Sequence, residues 1–295
     1  LDIYKRLEQS KPERFEPDFA MSLGNCAKYL SDNGLEEHAL HFAKQALDIY
    51  ERLALKQPER FEVDFAGSLN NYAKSLSGNG NEEKALSFAK QALDIYQRLA
   101  QSKPERFEPD FAMNLGNYAC HLSEQGRYLE AVTQQIHCHA LYAQHANRMP
   151  LRYAGHEYEE QLTLALWRWL ESGQRMTEVL DLDISDFNVR AQRKAHFQRG
   201  ALQCLETAST KASKEALRSC IEVALMQWNR MDAGQQHTWQ AMFLVLAALA
   251  HHKAGSDAAP PDWQQQLEHF LHQRKNHIPK WMTDAAARCD FLLES

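Results

Sequence analysis

The sequence predicts an all-α fold, a right-handed superhelical solenoid of antiparallel helix pairs with divergent helical hairpins at its C-terminal end. Three observations point to it. Pro-Glu-Arg-Phe-Glu occurs at 12–16, 58–62 and 104–108, and Leu-Asp-Ile-Tyr at 1–4, 47–50 and 93–96, so both motifs return every 46 residues. Between them the apolar residues recur at helical spacing in two runs per unit. Gly and Pro number only 12 and 9 in 295 residues, too few for a turn-rich β fold.

The first helix of a unit is expected from about Asp18 to Ser31. Leu23, Cys26, Ala27 and Leu30 fall at i, i+3, i+4 and i+7 on one of its faces. Pro17 suits a helix start, where a missing N–H costs nothing, and Gly34 suits the turn that follows. The second helix should begin near Glu36, with Glu36 and Glu37 at the positive end of the helix dipole. It carries Ala39, Leu40, Ala43, Ala46, Leu47 and Tyr50 inward and ends before Pro58, which cannot continue it. The stretch Lys11–Asp18 reads as an inter-unit linker, with Phe15, Phe61 and Phe107 plugging the seam between units. Ala27, Ala73 and Ala119 in the first helices and Ala39, Ala85 and Ala131 in the second let paired helices approach closely. One such pair cannot bury its apolar face alone, so successive pairs stack.

With Ala39, Ala85 and Ala131 at the small position of the second helix, Gly34, Gly80 and Gly126 fall at the inter-helix turn. This pattern resembles the tetratricopeptide repeat, whose usual unit of about 34 residues is here lengthened to 46. Leu69-Asn70-Asn71-Tyr72-Ala73 and the extended second helix resemble the kinesin light chain variety, which is also widespread in bacterial signalling proteins. The likeness is strong over residues 1–138. Leu30, Leu76 and Leu122 depart from it, standing where the family customarily has an aromatic residue.

Residues 1–138 therefore read as three repeats and 139–174 as a degenerate fourth. In that fourth unit His139-Ala140-Leu141-Tyr142 replaces Leu-Asp-Ile-Tyr, Met149-Pro150 breaks the chain, and a first helix runs from Tyr158 to Leu170, ending at Gly173. Residues 175–295 read as divergent helices at about 175–181, 186–208, 211–230, 235–254, 262–275 and 281–293. They form either a cap or a separate helical domain. All six Trp lie beyond residue 138. They are read mainly as packing material, with a binding surface as the other reading.

The resemblance implies that first helices line a concave face and offer residues pointing away from the second helices. Those residues are Met21, Asn25, Lys28 and Asp32 in the first unit; Gly67, Asn71, Lys74 and Gly78 in the second; Met113, Asn117, Cys120 and Glu124 in the third. Asn25, Asn71 and Asn117 form a ladder, and an amide offers both donor and acceptor to an extended peptide. Lys28 and Lys74 add positive charge for acidic side chains or a C-terminal carboxylate. In the kinesin light chain family groove asparagines contact cargo peptides, which Asn70 and Asn71 match. Two bland alternatives stand beside this reading. An Asn ladder can bond helix to helix, and a Lys pair is often a solvated face.

A protein or peptide is accordingly the expected partner, held by a scaffold or sensor region of a larger regulatory protein. Self-assembly through the array, and an all-helical enzyme using the C-terminal half, are the alternatives. The opening Leu1-Asp2-Ile3-Tyr4 repeats an interior motif and lacks an initiating Met, so a fragment of a longer protein is expected, and the resemblance adds an effector domain in the same full-length chain. Net charge is −6 with both signs interspersed, unlike a general nucleic-acid binder. Six dispersed cysteines without a CxxC pair suggest a reducing cytoplasm. The most apolar run, Ala241–Ala250, is too short to span a membrane. No cofactor, metal or catalytic group is expected. Neighbours such as His137-Cys138-His139 point in different directions on a helix, and no phosphate-binding glycine loop or nucleophile elbow occurs.

Overall fold

The computed structural model describes residues 2–176, 189–210, 212–275 and 277–293, and these form helices and turns with no strand among them. They divide into two compact units, Leu1–His121 with Gln273–His277, and Leu122–His272 with Ile278–Ser295.

The first unit contains α1 (Asp2–Ser10), α2 (Pro12–Asp32), α3 (Glu36–Lys56), α4 (Pro58–Gly78), α5 (Glu82–Ser102) and α6 (Pro104–Glu124) through His121. The period is two 21-residue helices, the turn Asn33–Leu35 and the single residue Gln57. The expected linker is therefore corrected: Pro12–Asp18 is the opening of α2, and Pro17 lies inside the helix. One residue suffices as connector because Gln57, forced out of the α region by the following Pro58, takes φ −140° and reverses the chain. Pro17 is tolerated because the carbonyl it frees belongs to Glu13, an exposed residue. Val63 stands at the same register in α4 without changing the helix limits.

At the other end, Leu35 N–H donates to the Leu30 carbonyl at 2.9 Å and Gly34 N–H to Ser31 at 2.9 Å; Asn81 and Gly80 repeat the pair with Leu76 and Ser77. This is a Schellman cap, and it needs a residue at φ +73°, which glycine supplies at 34 and 80.

Packing follows the alanines. Ala27, Ala39, Ala73 and Ala85 are at most 2% exposed, while Leu23, Leu69 and Leu115 fill the space between pairs. Phe61 packs with Ala20, Tyr50 and Leu53, so the seam-plugging role expected of it is realised from within a helix. Leu47, Leu69 and Ala92 form the next layer, flanked by Tyr72 and Phe88, whose rings meet edge-on at 4.9 Å.

The second unit opens with α7 (Tyr128–Arg148) packed on α8 (Pro150–Ser172). It continues through α9 (Val189–Ser209), α10 (Lys214–Trp228) and α11 (Ala233–Leu249), then a π-helical turn (Ala250–Ala254), α12 (Trp263–Gln273) and α13 (Lys280–Arg288). The helix expected at 175–181 lies almost wholly outside the described residues. The last one is shorter than expected, because Asp290 takes φ +56° and stops it. Trp167, Trp169, Trp228 and Trp263 are buried, with Trp228 stacked on Phe243 at 4.4 Å, so these four are core. Gly173 ends α8 at φ +77°, and Arg288 donates to the carbonyl of Leu170 in that last turn at 2.7 Å. A guanidinium there satisfies an unpaired carbonyl and faces the negative end of the helix dipole.

Candidate functional site

The register singled out in the first helices is a stripe of exposed residues. On α2 it comprises Met21, Asn25, Lys28 and Asp32, all exposed; on α4, Asn71 and Lys74 are exposed between half-buried Gly67 and Gly78. On α6 Met113, Asn117 and Cys120 are exposed. The spacing of four, three and four residues keeps these side chains on one helix face. That α2 and α4 lie against each other brings their two stripes side by side.

The asparagines divide into two kinds. Asn25, Asn71 and Asn117 are exposed. Asn70, one residue earlier, is half-buried and donates to the side-chain oxygen of Asn114, which is 1% exposed and in turn donates to the Asp110 carbonyl at 2.7 Å. Asn70 thus ties α4 to α6. Gly24 occupies the same register in α2, and a Cβ added there would lie 4.0 Å from Asn71 Nδ2. The small residue leaves the Asn71 amide lying across the neighbouring helix.

Lys74 has a built electrostatic neighbour. The Glu36 carboxylate, at the start of α3, accepts a hydrogen bond from the Ser31 hydroxyl at 3.0 Å and fills the space beside Gly78. Burial pushes the Glu36 pKa up, and the Ser31 bond, Lys74 and Arg274 pull it back. Lys28 has no ion pair among the described residues. On α2 the exposed carboxylate of Asp32 stands one turn from Lys28 on the same face.

The turn edge of the same unit is already covered. Gln273 donates to the Gly34 carbonyl at 2.7 Å, and Arg274, buried, donates to Glu82 at 2.5 Å. The Arg274 carbonyl lies 2.4 Å from where a Gly80 Cβ would stand. No sequence motif announced this segment. The other feature missed was Tyr29, 69% exposed beside Lys28, where the equivalent Ser75 and His121 are buried. Its signal was an aromatic residue standing at a register otherwise filled by smaller polar ones. In the second unit His137 is exposed and Cys138 buried, so these neighbours do point apart. Among the described residues no helix is long and apolar enough to cross a membrane.

Residues 19–54 and 65–103 match the family profile described as tetratricopeptide repeat, with starting points one 46-residue period apart. Repeats of this kind mediate protein–protein interaction and scaffolding. No curated protein matches the chain.

Proposed function

From the premise that this chain is a tetratricopeptide repeat protein, we propose that it works as a peptide-binding scaffold or sensor and not by catalysis. An extended peptide lies across α2, α4 and α6. Asn25, Asn71 and Asn117 exchange hydrogen bonds with its backbone, and Lys28 and Lys74 hold acidic side chains or a C-terminal carboxylate. Met21, Met113 and Tyr29 add exposed apolar area beside these polar groups. Asn70 acts from behind, holding α4 to α6. The observation that carries the reading is the return of one exposed amide at one register on α2, α4 and α6, the first helices of three successive repeats. The region serves as the docking part of a larger cytoplasmic regulator whose effector domain lies elsewhere in the full-length chain. Its six free thiols suit a reducing compartment. A net charge of −6 makes nucleic acid an unsuitable partner.

The test is selection of an acidic random-peptide library on the immobilised chain, followed by affinity measurement of the winners. Asn71→Ala combined with Lys74→Ala is expected to abolish capture while leaving the thermal midpoint unchanged. Undiminished capture by the double variant rejects the groove.

A second reading rests on α1. Ile3 and Tyr4 are 65% and 37% exposed, whereas Tyr50 and Tyr96, at the register of Tyr4, are 8% and 5% exposed. Preceding repeats of a longer chain, or a second copy, stacking on this face would cover it. Light scattering tests that directly: mass independent of concentration dismisses self-assembly.

A further inference from the structure

The second unit holds a cavity that the peptide-binding reading leaves unused. α11 is buried throughout Met242–Leu249, and the helix then continues as the π-helical turn Ala250–Ala254. Burying an apolar helix does not require a π turn, and such turns are rare and recur at functional sites. This one sets three consecutive residues, His251, His252 and Lys253, on the wall of a single cavity of about 460 Å³. That size falls within the roughly 300–1,000 Å³ typical of small-molecule sites.

Apart from Gln264 and Asp290, the rest of the lining is aromatic and apolar. Trp263, at the start of α12, is 8% exposed, and Phe291 and Leu293, beyond α13, are 7% and 8% exposed. His251 meets Trp263 with ring centroids 5.5 Å apart. His252 stacks on Phe291 at 5.6 Å with 21° between the planes, and the two imidazoles meet edge-on at 5.1 Å. Four rings thus border one space, a lining whose chemistry suits an aromatic guest.

The charges are unequal. Lys253 forms no ion pair among the described residues, and its ammonium lies close enough to the buried Cys289 thiol to oppose the upward shift that burial imposes there. Asp290 is the carboxylate on the lining. Against it stand one permanent cation and two imidazoles able to donate N–H groups. Lys253 is half-buried and Asp290 exposed, so water screens the carboxylate more than the ammonium.

We propose that this cavity is a binding site for a small planar aromatic carboxylate, its ring against Trp263 and Phe291 and its carboxylate facing Lys253 and His252. Titration calorimetry of the whole chain with 2-naphthoate, its neutral amide 2-naphthamide, and acetate tests it. Naphthoate should bind saturably at one site, the amide at least tenfold more weakly, a difference of about 1.4 kcal/mol, and acetate not at all at millimolar concentration. Lys253→Gln should bring naphthoate to the level of the amide and leave the amide unchanged. Side-chain NMR supplies a second readout independent of the variant's folding: naphthoate should shift the ring signals of His251 and His252. Equal binding of acid and amide, unchanged naphthoate affinity in Lys253→Gln, shifts confined to other histidines, or no saturable binding would each overturn the site.

Discussion

At the scale of single residues, glycine serves two different ends in the first unit. Gly80 sits at φ +73°, with the Arg274 carbonyl oxygen 2.4 Å from where a Cβ would be. Gly24 lies within α2, and its nearest neighbour in that direction is the end of the Asn71 side chain at 4.0 Å. Gly24→Ala should therefore stabilise by up to about 1 kcal/mol through helix propensity. Gly80→Ala should cost about 1–2 kcal/mol for the left-handed backbone, and more because a main-chain carbonyl must move. Thermal denaturation followed at 222 nm reads both; shifts of the same sign would contradict this division. The Arg274–Glu82 pair is another residue-scale case, with side chains 10% and 6% exposed. Removing the cation takes the Arg274 hydrogen bond from a buried carboxylate that keeps His277 at 3.6 Å, so Arg274→Met should cost about 2–3 kcal/mol in a urea titration.

At the scale of elements, the surprise is that a proline-containing segment is helical. Pro12 occupies the first helical position, where its missing N–H is harmless, and Pro17 removes one bond whose acceptor reaches water. The second repeat has already made the experiment, with Val63 in place of Pro17. Pro17→Val should stabilise the first unit by about 1 kcal/mol, less than the roughly 3 kcal/mol that a mid-helix proline costs. An unchanged or lowered unfolding midpoint would show that Pro17 fits its site as well as valine does. In the second unit, α8 depends on a side chain from α13. Arg288 reaches the Leu170 carbonyl through two nitrogens, at 2.7 and 3.2 Å, and its guanidinium lies 5.5 Å from the centre of the Trp169 ring. Arg288→Ala should cost about 1–2 kcal/mol, from the lost charged hydrogen bonds and the dipole interaction. Amide exchange of the last turn of α8 should rise with it.

At the scale of the whole molecule, the repeated tyrosines make the response to alkali predictable. Tyr50 donates to the Pro17 carbonyl at 3.2 Å and Tyr96 to that of Val63 at 3.5 Å. Burial, reinforced by nearby aspartates, pushes both pKa values up to about 12, against about 10 in an unfolded chain. The neutral form is favoured in the fold, so this stabilisation is complete below about pH 10. It is lost as pH rises through about 12. Circular dichroism should show helix loss over that window, and Tyr50→Phe with Tyr96→Phe should flatten its pH dependence. Because stacked repeats share their stability with their neighbours, the two substitutions should act on one transition; two separate transitions would count against a shared core.

The sequence by itself determined the all-α class, the 46-residue period, the buried alanine positions and the exposed register of Asn25, Asn71 and Asn117. Each of these depends on residues a turn or two apart, or on a spacing that repetition makes visible. Only the tertiary structure separated Asn70, which bonds Asn114, from Asn71, which faces water. It alone brought Arg274 onto Glu82, 192 residues away, and Gln273 onto Gly34, 239 away. It also gathered His252, Trp263 and Phe291 around one cavity. Such meetings follow the path of the chain through non-repeating segments, where no periodic signal specifies which surfaces will touch.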